Sequence, residues 1–241
     1  LWYCVVRLFS IPSYLVPGPA SVVEVLVHDW RYLGIQSMVT LVEVLSGFAI
    51  SVIVGVPVAI IIVYSATMER ILYPLLVASQ SVPKIAIAPL LIFWAGIGLL
   101  PKVLVAFLIA VFPIIVDSVI GLRSVEPEML YLAHSMGAKE LRIFWSVRLP
   151  TALPNIFAGL KISITLAVVG AIVAEFIQAD AGLGYALLQA SSAMDTAMSF
   201  AIIILLSAIG VALFALVSAI GNRLTYWHSS QRSAELAVPI S

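Results

Sequence analysis

Four ionisable side chains fall inside or close to long apolar stretches of this sequence: Glu43, Lys84, Asp117 and Glu175. A charge near mid-bilayer costs about 2.5–3.5 kcal/mol on insertion scales, so each such residue needs a partner or a task. Measured from the outer ends of their segments at a rise of about 1.5 Å per residue, Glu43 and Lys84 reach a similar depth. The expectation is a Glu43–Lys84 pair within the membrane. It has two readings: a buried pair that holds helices in register, or a Lys84 that faces a pathway and attracts an anionic solute. Glu175 reads either as a gate or pathway residue beside Gly182-Leu183-Gly184, or as a hydrogen-bonding group at a helix boundary. Glu43, Lys84 and Glu175 are therefore the candidate pathway residues. Asp117 lies near the end of its segment, where water solvates a carboxylate.

Other chemistries find no support. No G-x-x-x-x-G-K-S/T run is present to cradle a phosphate. His28, His134 and His228 lie in separate connections, and Cys4 stands alone, so the sequence offers no metal-ligand set. A membrane hydrolase would need a metal cluster or a Ser/His pairing, and neither shows. No metal and no cofactor are expected in this chain. The net charge of zero gives no footprint for nucleic acid.

These residues must be held by membrane elements. Hydrophobic residues make up 63% of the 241 positions and charged ones 10%, and mean hydropathy is +1.17. Soluble domains run near 45–50% and about 25%. The chain reads as a single polytopic domain, residues 1–241, an all-α transmembrane bundle of six spans. Residues 1 to about 11 are too short to span, since about 20 residues are needed. They read as the end of a first span completed upstream. Pro12, Pro17 and Pro19 break it, and a short interfacial helix over about 20–33 follows, with Trp30 and Tyr32 at headgroup level. Further spans are expected at about 34–64, 71–95, 102–121, 154–178 and 199–224. Gly47, Ser51 and Gly55, and again Gly159, Ser163, Ala167, Gly170 and Ala174, make small-residue stripes for close helix contact in lipid. Pro74, Pro83 and Pro89 free backbone carbonyls that lipid cannot satisfy, so the 71–95 span should be buried or line a wet cavity. Phe93 and Trp94 read as interfacial anchors, and the tail after Tyr226 as a loose polar end.

The longest polar interruption is residues 122–153. Met129, Leu132, Ala133 and Met136 recur at i, i+3, i+4 and i+7, one apolar face of a short helix. Gly137 can end that helix in a left-handed turn. A second short helix should carry Leu141, Phe144, Trp145 and Arg148 on one face and stop at Leu149-Pro150. Pro154 would then open the next span. With this loop in the cytoplasm, Arg70, Arg123, Lys139, Arg142, Arg148, Lys161, Arg223 and Arg232 lie inside or at that boundary, while Arg31 and Lys102 face outward. That asymmetry follows the positive-inside rule and places both termini in the cytoplasm.

The spacing Ala133-x3-Gly137-x9-Val147-x-Leu149-Pro150 resembles the EAA-x3-G-x9-I-x-LP loop of binding-protein-dependent ABC importer permeases. Tyr131 and Leu132 depart from that pattern, standing where Glu and Ala are frequent. Pro83-x2-Ala86-x2-Pro89-Leu90, Leu153-Pro154-x-Ile156-x2-Gly159-Leu160-Lys161, Ala174-Glu175 and Gly182-Leu183-Gly184 add a similarity to the nitrate, sulfonate, taurine and thiamine-precursor branch. The resemblance implies a type I importer fold working by alternating access in a prokaryotic inner membrane. It implies a homodimer, two ATPase subunits that bind the ATP and Mg, and an external solute-binding protein. Met129, Leu132, Ala133, Met136, Gly137, Ala138, Leu149 and Pro150 would form the coupling surface for the ATPase. A self-sufficient secondary transporter is the rival reading, since prolines in the third span resemble broken helices.

Overall fold

The computed structural model describes residues 12, 15–96, 98–177 and 180–226, and among them no strand occurs. The helices are α1 (Pro19–His28), α2 (Trp30–Tyr64), α3 (Ala66–Ser81), α4 (Lys84–Ala95) and α5 (Leu99–Arg123). After these come α6 (Pro127–Ser135), α7 (Glu140–Ile143), a π-helical turn at Phe144–Arg148, α8 (Leu149–Ile177), α9 (Leu183–Ser192) and α10 (Thr196–Leu224). Among the described residues four stretches are long and apolar enough to cross a membrane: α2, α5, α7 through α8, and α10. A fifth arises if α3 and α4 count as one broken span. The expected first span and the C-terminal tail lie outside the described residues.

The third span is not one helix. α3 and α4 meet at 97° across Val82-Pro83. Val82 is extended, with φ −80° and ψ 125°, as the Cδ of a following proline demands. Pro57, Pro74 and Pro89 lie inside α2, α3 and α4 at exposed positions, and α3 buries no residue within this chain, so the burial expected of the 71–95 span is not found along α3. Pro101 sits in the first turn of α5, where a missing N–H costs nothing, so that helix begins earlier than the sequence suggested.

The described residues form two compact units, with α2, α5, α8 and α10 contributing to both. In the first unit (residues up to Ala49, Pro83–Ile109 and Leu166–Ala212), small residues let backbones meet. A Cβ on Gly47 would fall 2.6 Å from Ala106 Cβ, and one on Gly170 would fall 2.8 Å from Ala106 Cα. α2 and α8 therefore both close on α5 at Ala106, the contact that small-residue stripes serve in lipid. A second cluster packs Leu183, Ala186 and Ala190 of α9 against Leu33, Ile202 and Leu206.

In the second unit (Ile50–Val82, Ala110–Thr165 and from Leu213 on), Gly55 approaches Ile114, Gly159 approaches Pro113 and Asp117, and Gly121 approaches Ala152. Ser163 Oγ donates to the Ala110 carbonyl at 2.7 Å. Ala59, Ile62, Ile115 and Val119 form one buried cluster, and Leu122, Ala152 and Ile156 another. The apolar side chains left outward, Phe93 and Trp94 among the most exposed, suit a surface whose solvent is lipid.

Candidate functional site

The loop after α5 is built from local rules. Pro127 opens α6 at its first position, where it is pre-organised for helix. At the other end Gly137 takes φ +74°, its N–H bonds the His134 carbonyl at 2.9 Å and the Ala138 N–H bonds the Ala133 carbonyl at 3.1 Å. This is a Schellman closure, and it explains Ala133, Gly137 and Ala138 together. Across the turn, His134 Nε2 lies 2.7 Å from Glu140 Oε1 and His134 Nδ1 lies 2.7 Å from the Leu130 carbonyl. Both partners are acceptors, so the ring makes both bonds only as imidazolium. The Glu140 carboxylate, helped by the Leu130 carbonyl, raises the His134 pKa above its ordinary value.

The second short helix does not stop at Leu149-Pro150. It widens into the π turn at Phe144–Arg148 and runs on as α8, with Pro150 and Pro154 inside the continuous helix. A proline ring clashes with the carbonyl four residues back. The Phe144–Arg148 widening precedes Pro150 and displaces that carbonyl, and such single-turn bulges recur at functional sites.

An open, mostly apolar groove of about 350 Å³ lies between α6 and the start of α8. Met129, Leu132, Ala133 and Met136 line one wall, and Val147 and Pro150 the other, with Ser146 and Thr151 as its polar members. Met136 is 78% exposed and Leu132 63%. Leu149 turns the other way, packing on the Leu122–Ala152–Ile156 cluster. The loop is fastened to two helix ends. The Arg148 guanidinium sits 5.2 Å over the Tyr64 ring at the end of α2, and its Nη1 donates to the Leu122 carbonyl at 3.4 Å. Phe144 packs edge-on against Tyr64 at 6.2 Å. Tyr64 was not anticipated; as a lone aromatic at a span end it carries no sequence signal for this contact.

The first unit holds a second constellation, and here the expected pairing is corrected. The ammonium on Glu43 belongs to Lys102 at 2.8 Å, not to Lys84. Lys102 is buried and donates additionally to the Ala181 carbonyl at 3.3 Å. A count along two helices compares depth but does not say which neighbour a side chain faces, and the helix that brings an ammonium to Glu43 is α5. Lys84 sits, half-buried, at the first position of α4. Glu175 Oε1 accepts from the Thr40 hydroxyl at 2.7 Å, and Oε2 accepts from the Gly184 N–H. Thr40 Oγ1 accepts from the Leu183 N–H at 2.8 Å, and Gln36 Oε1 from the Gly182 N–H at 2.6 Å. Side chains of α2, α5 and α8 thus hold the 181–184 turn by its backbone. Gly182, at φ +117°, has no room for a Cβ because the Glu175 carboxyl occupies that space. A sequence signal for Gln36 and Thr40 existed: with Glu43, Gly47 and Ser51 they repeat every three or four residues, a polar and small stripe along one face of α2. Among the described residues no three His, Cys, Asp or Glu side chains gather closely enough for a metal.

Long apolar helices, a broken span and a grooved loop between two of them define a multi-pass helical membrane protein. The family described as the binding-protein-dependent transport system inner membrane component matches residues 47–226. The formylaminopyrimidine transport permease protein ThiX of Halalkalibacterium halodurans is 34% identical over 232 residues, 96% of this chain and 92% of that protein. The taurine transport system permease protein TauC of Escherichia coli is 30% identical over 239 residues, 95% of this chain and 86% of that one. An inward-facing structure of the MetNI methionine ABC transporter shares the fold, with a TM-score of 0.72 at 19% identity over 82% of this chain and 99% of that one. The chain belongs to the inner membrane components of binding-protein-dependent transport systems: it is a multi-pass permease subunit of an ABC importer. Family membership sets aside the self-sufficient secondary transporter.

Proposed function

We propose that the groove between α6 and α8 receives an ATPase subunit, and that a dimer of this chain carries two of them. The observation that supports this most directly is the exposed apolar lining around Met129, Leu132, Met136 and Pro150 on a loop stiffened by the Gly137 closure. Most amphipathic helices of this size lie on headgroups. A concave apolar groove between two helix segments suits a partner's side chains better than a flat lipid boundary. ATP and Mg belong to that partner. Closure of the ATPases pushes the 122–153 loop, which lies in the cytoplasm with both termini. Arg148, Phe144 and Tyr64 pass the push to the ends of α2 and α5, and the pathway opens alternately to each side. An external binding protein delivers the solute.

The cargo is a small polar or anionic solute: a sulfonate, taurine, nitrate or a pyrimidine-type vitamin precursor. The names of ThiX and TauC support this range. In this reading Lys84 serves the pathway, where its charge attracts an anion. Glu43 and Glu175 serve the pathway from behind, by holding the 181–184 turn. The test is co-purification of the ATPase with the permease before and after Gly137→Asp, which strains the turn and puts a charge beside the groove. Loss of the ATPase from a permease that still melts normally supports the proposal. Retention of ATPase binding and uptake overturns it.

A further inference from the structure

The buried cluster of the first unit contains two carboxyl groups and one ammonium, and its hydrogen bonds say how they share charge. Glu175 accepts on both oxygens, from the Thr40 hydroxyl and from the Gly184 N–H, as an ionised carboxylate does. Glu43 is different. Its Oε1 accepts from Lys102, while Oε2 is buried and receives no hydrogen bond. An ionised oxygen buried without a donor carries its full desolvation cost. Two ionised carboxyls against one ammonium would also leave a net buried negative charge. The Glu43 carboxyl lies against that of Glu175, and Gln36, Thr40 and the turn amides around them are uncharged.

We propose that Glu43 Oε2 is a proton-binding site: Glu43 is the carboxylic acid of an acid–carboxylate pair with Glu175, and Lys102 balances the Glu175 charge. The hydrogen on Oε2 turns an orphaned acceptor into a donor facing Glu175, and the cluster becomes neutral. The Ala181 carbonyl and the Gly182, Leu183 and Gly184 amides close the cluster, so the proton exchanges when the 181–184 turn lifts. The Glu43 O–H bond then breaks, its electron pair stays on the carboxylate, and the proton passes to water; closure reverses the step. This does not rest on the ATPase docking proposed above.

Infrared difference spectroscopy of the intact importer in lipid nanodiscs tests it, comparing wild type with Glu43→Gln and Glu175→Gln. Subtracting Glu43→Gln should reveal the loss of one protonated-carboxyl C=O band per chain, shifted in D2O. Subtracting Glu175→Gln should also reveal the loss of the protonated-carboxyl band, because Glu43, left alone with the Lys102 ammonium, ionises. Glu43→Gln should melt close to wild type, because its amide supplies both the acceptor for Lys102 and the donor toward Glu175. A carboxylate band lost on Glu43→Gln, as a bound sodium ion would give, overturns the proposal. So does failure of Glu43→Gln to fold while Glu175→Gln folds.

Discussion

The Lys102 ammonium lies 2.8 Å from Glu43 Oε1, with the two side chains only 5% and 1% exposed. Removing the ammonium leaves the carboxylate charge of the Glu43–Glu175 cluster buried without its counterion, at a cost of about 3–5 kcal/mol. Lys102→Met should therefore lower the melting temperature of the detergent-solubilised permease sharply. Lys84→Met should lower it much less and should instead weaken uptake of an anionic solute. Equal melting shifts for the two variants would contradict the pairing.

Gly182 meets two constraints at once: a positive φ and the Glu175 carboxyl in the place of a side chain. Gly182→Ala should cost about 1–3 kcal/mol from backbone strain alone, with the steric clash added. Gly210, with open space around it, is the control, and Gly210→Ala should be neutral or stabilising in the same melting assay.

At Gly137 a Cβ meets nothing within 4 Å, so the penalty there is conformational. Gly137→Ala should cost about 1 kcal/mol, the price of a left-handed turn for an L side chain. Amide hydrogen exchange at Gly137 and Ala138 should accelerate locally, with the spans unchanged.

His134 gives the loop a pH dependence with a definite sign. Its folded pKa is raised by Glu140, so the tie across the turn is fully present below the unfolded value. It is lost as pH rises through the folded one. Exchange at Gly137 and Ala138 should therefore speed up on the alkaline side of the ordinary imidazole range, beyond the intrinsic base catalysis seen in a His134→Gln control. An identical profile in the control would refute the tie.

Arg148 and Tyr64 should behave as one unit. Arg148→Met and Tyr64→Leu should each cost about 1–2 kcal/mol, as a cation–π contact with partly desolvated members does. The double variant should cost less than the sum. Fully additive melting shifts would show that the guanidinium and the ring do not interact.

Features that depend on local pattern and on solvent were legible along the chain. Apolar length and lack of charge fixed a membrane chain, because nothing else is stable with lipid as solvent. The i, i+3, i+4, i+7 face of α6 and the glycine after it specified a short amphipathic helix with a left-handed closure, because both obey rules within ten residues. The stripes around Gly47 and Gly170 announced close packing for the same reason. Tertiary structure alone decided the partners. Glu43 met Lys102 rather than Lys84, since a similar depth does not fix which neighbouring helix a side chain faces. Pro150 did not end its helix, since a π turn before it gave the ring room. Glu175 met Gly182 and Gly184 because the turn folds back over α8. These contacts join residues up to 146 positions apart, and their geometry arises from how helices cross, which no local periodicity encodes.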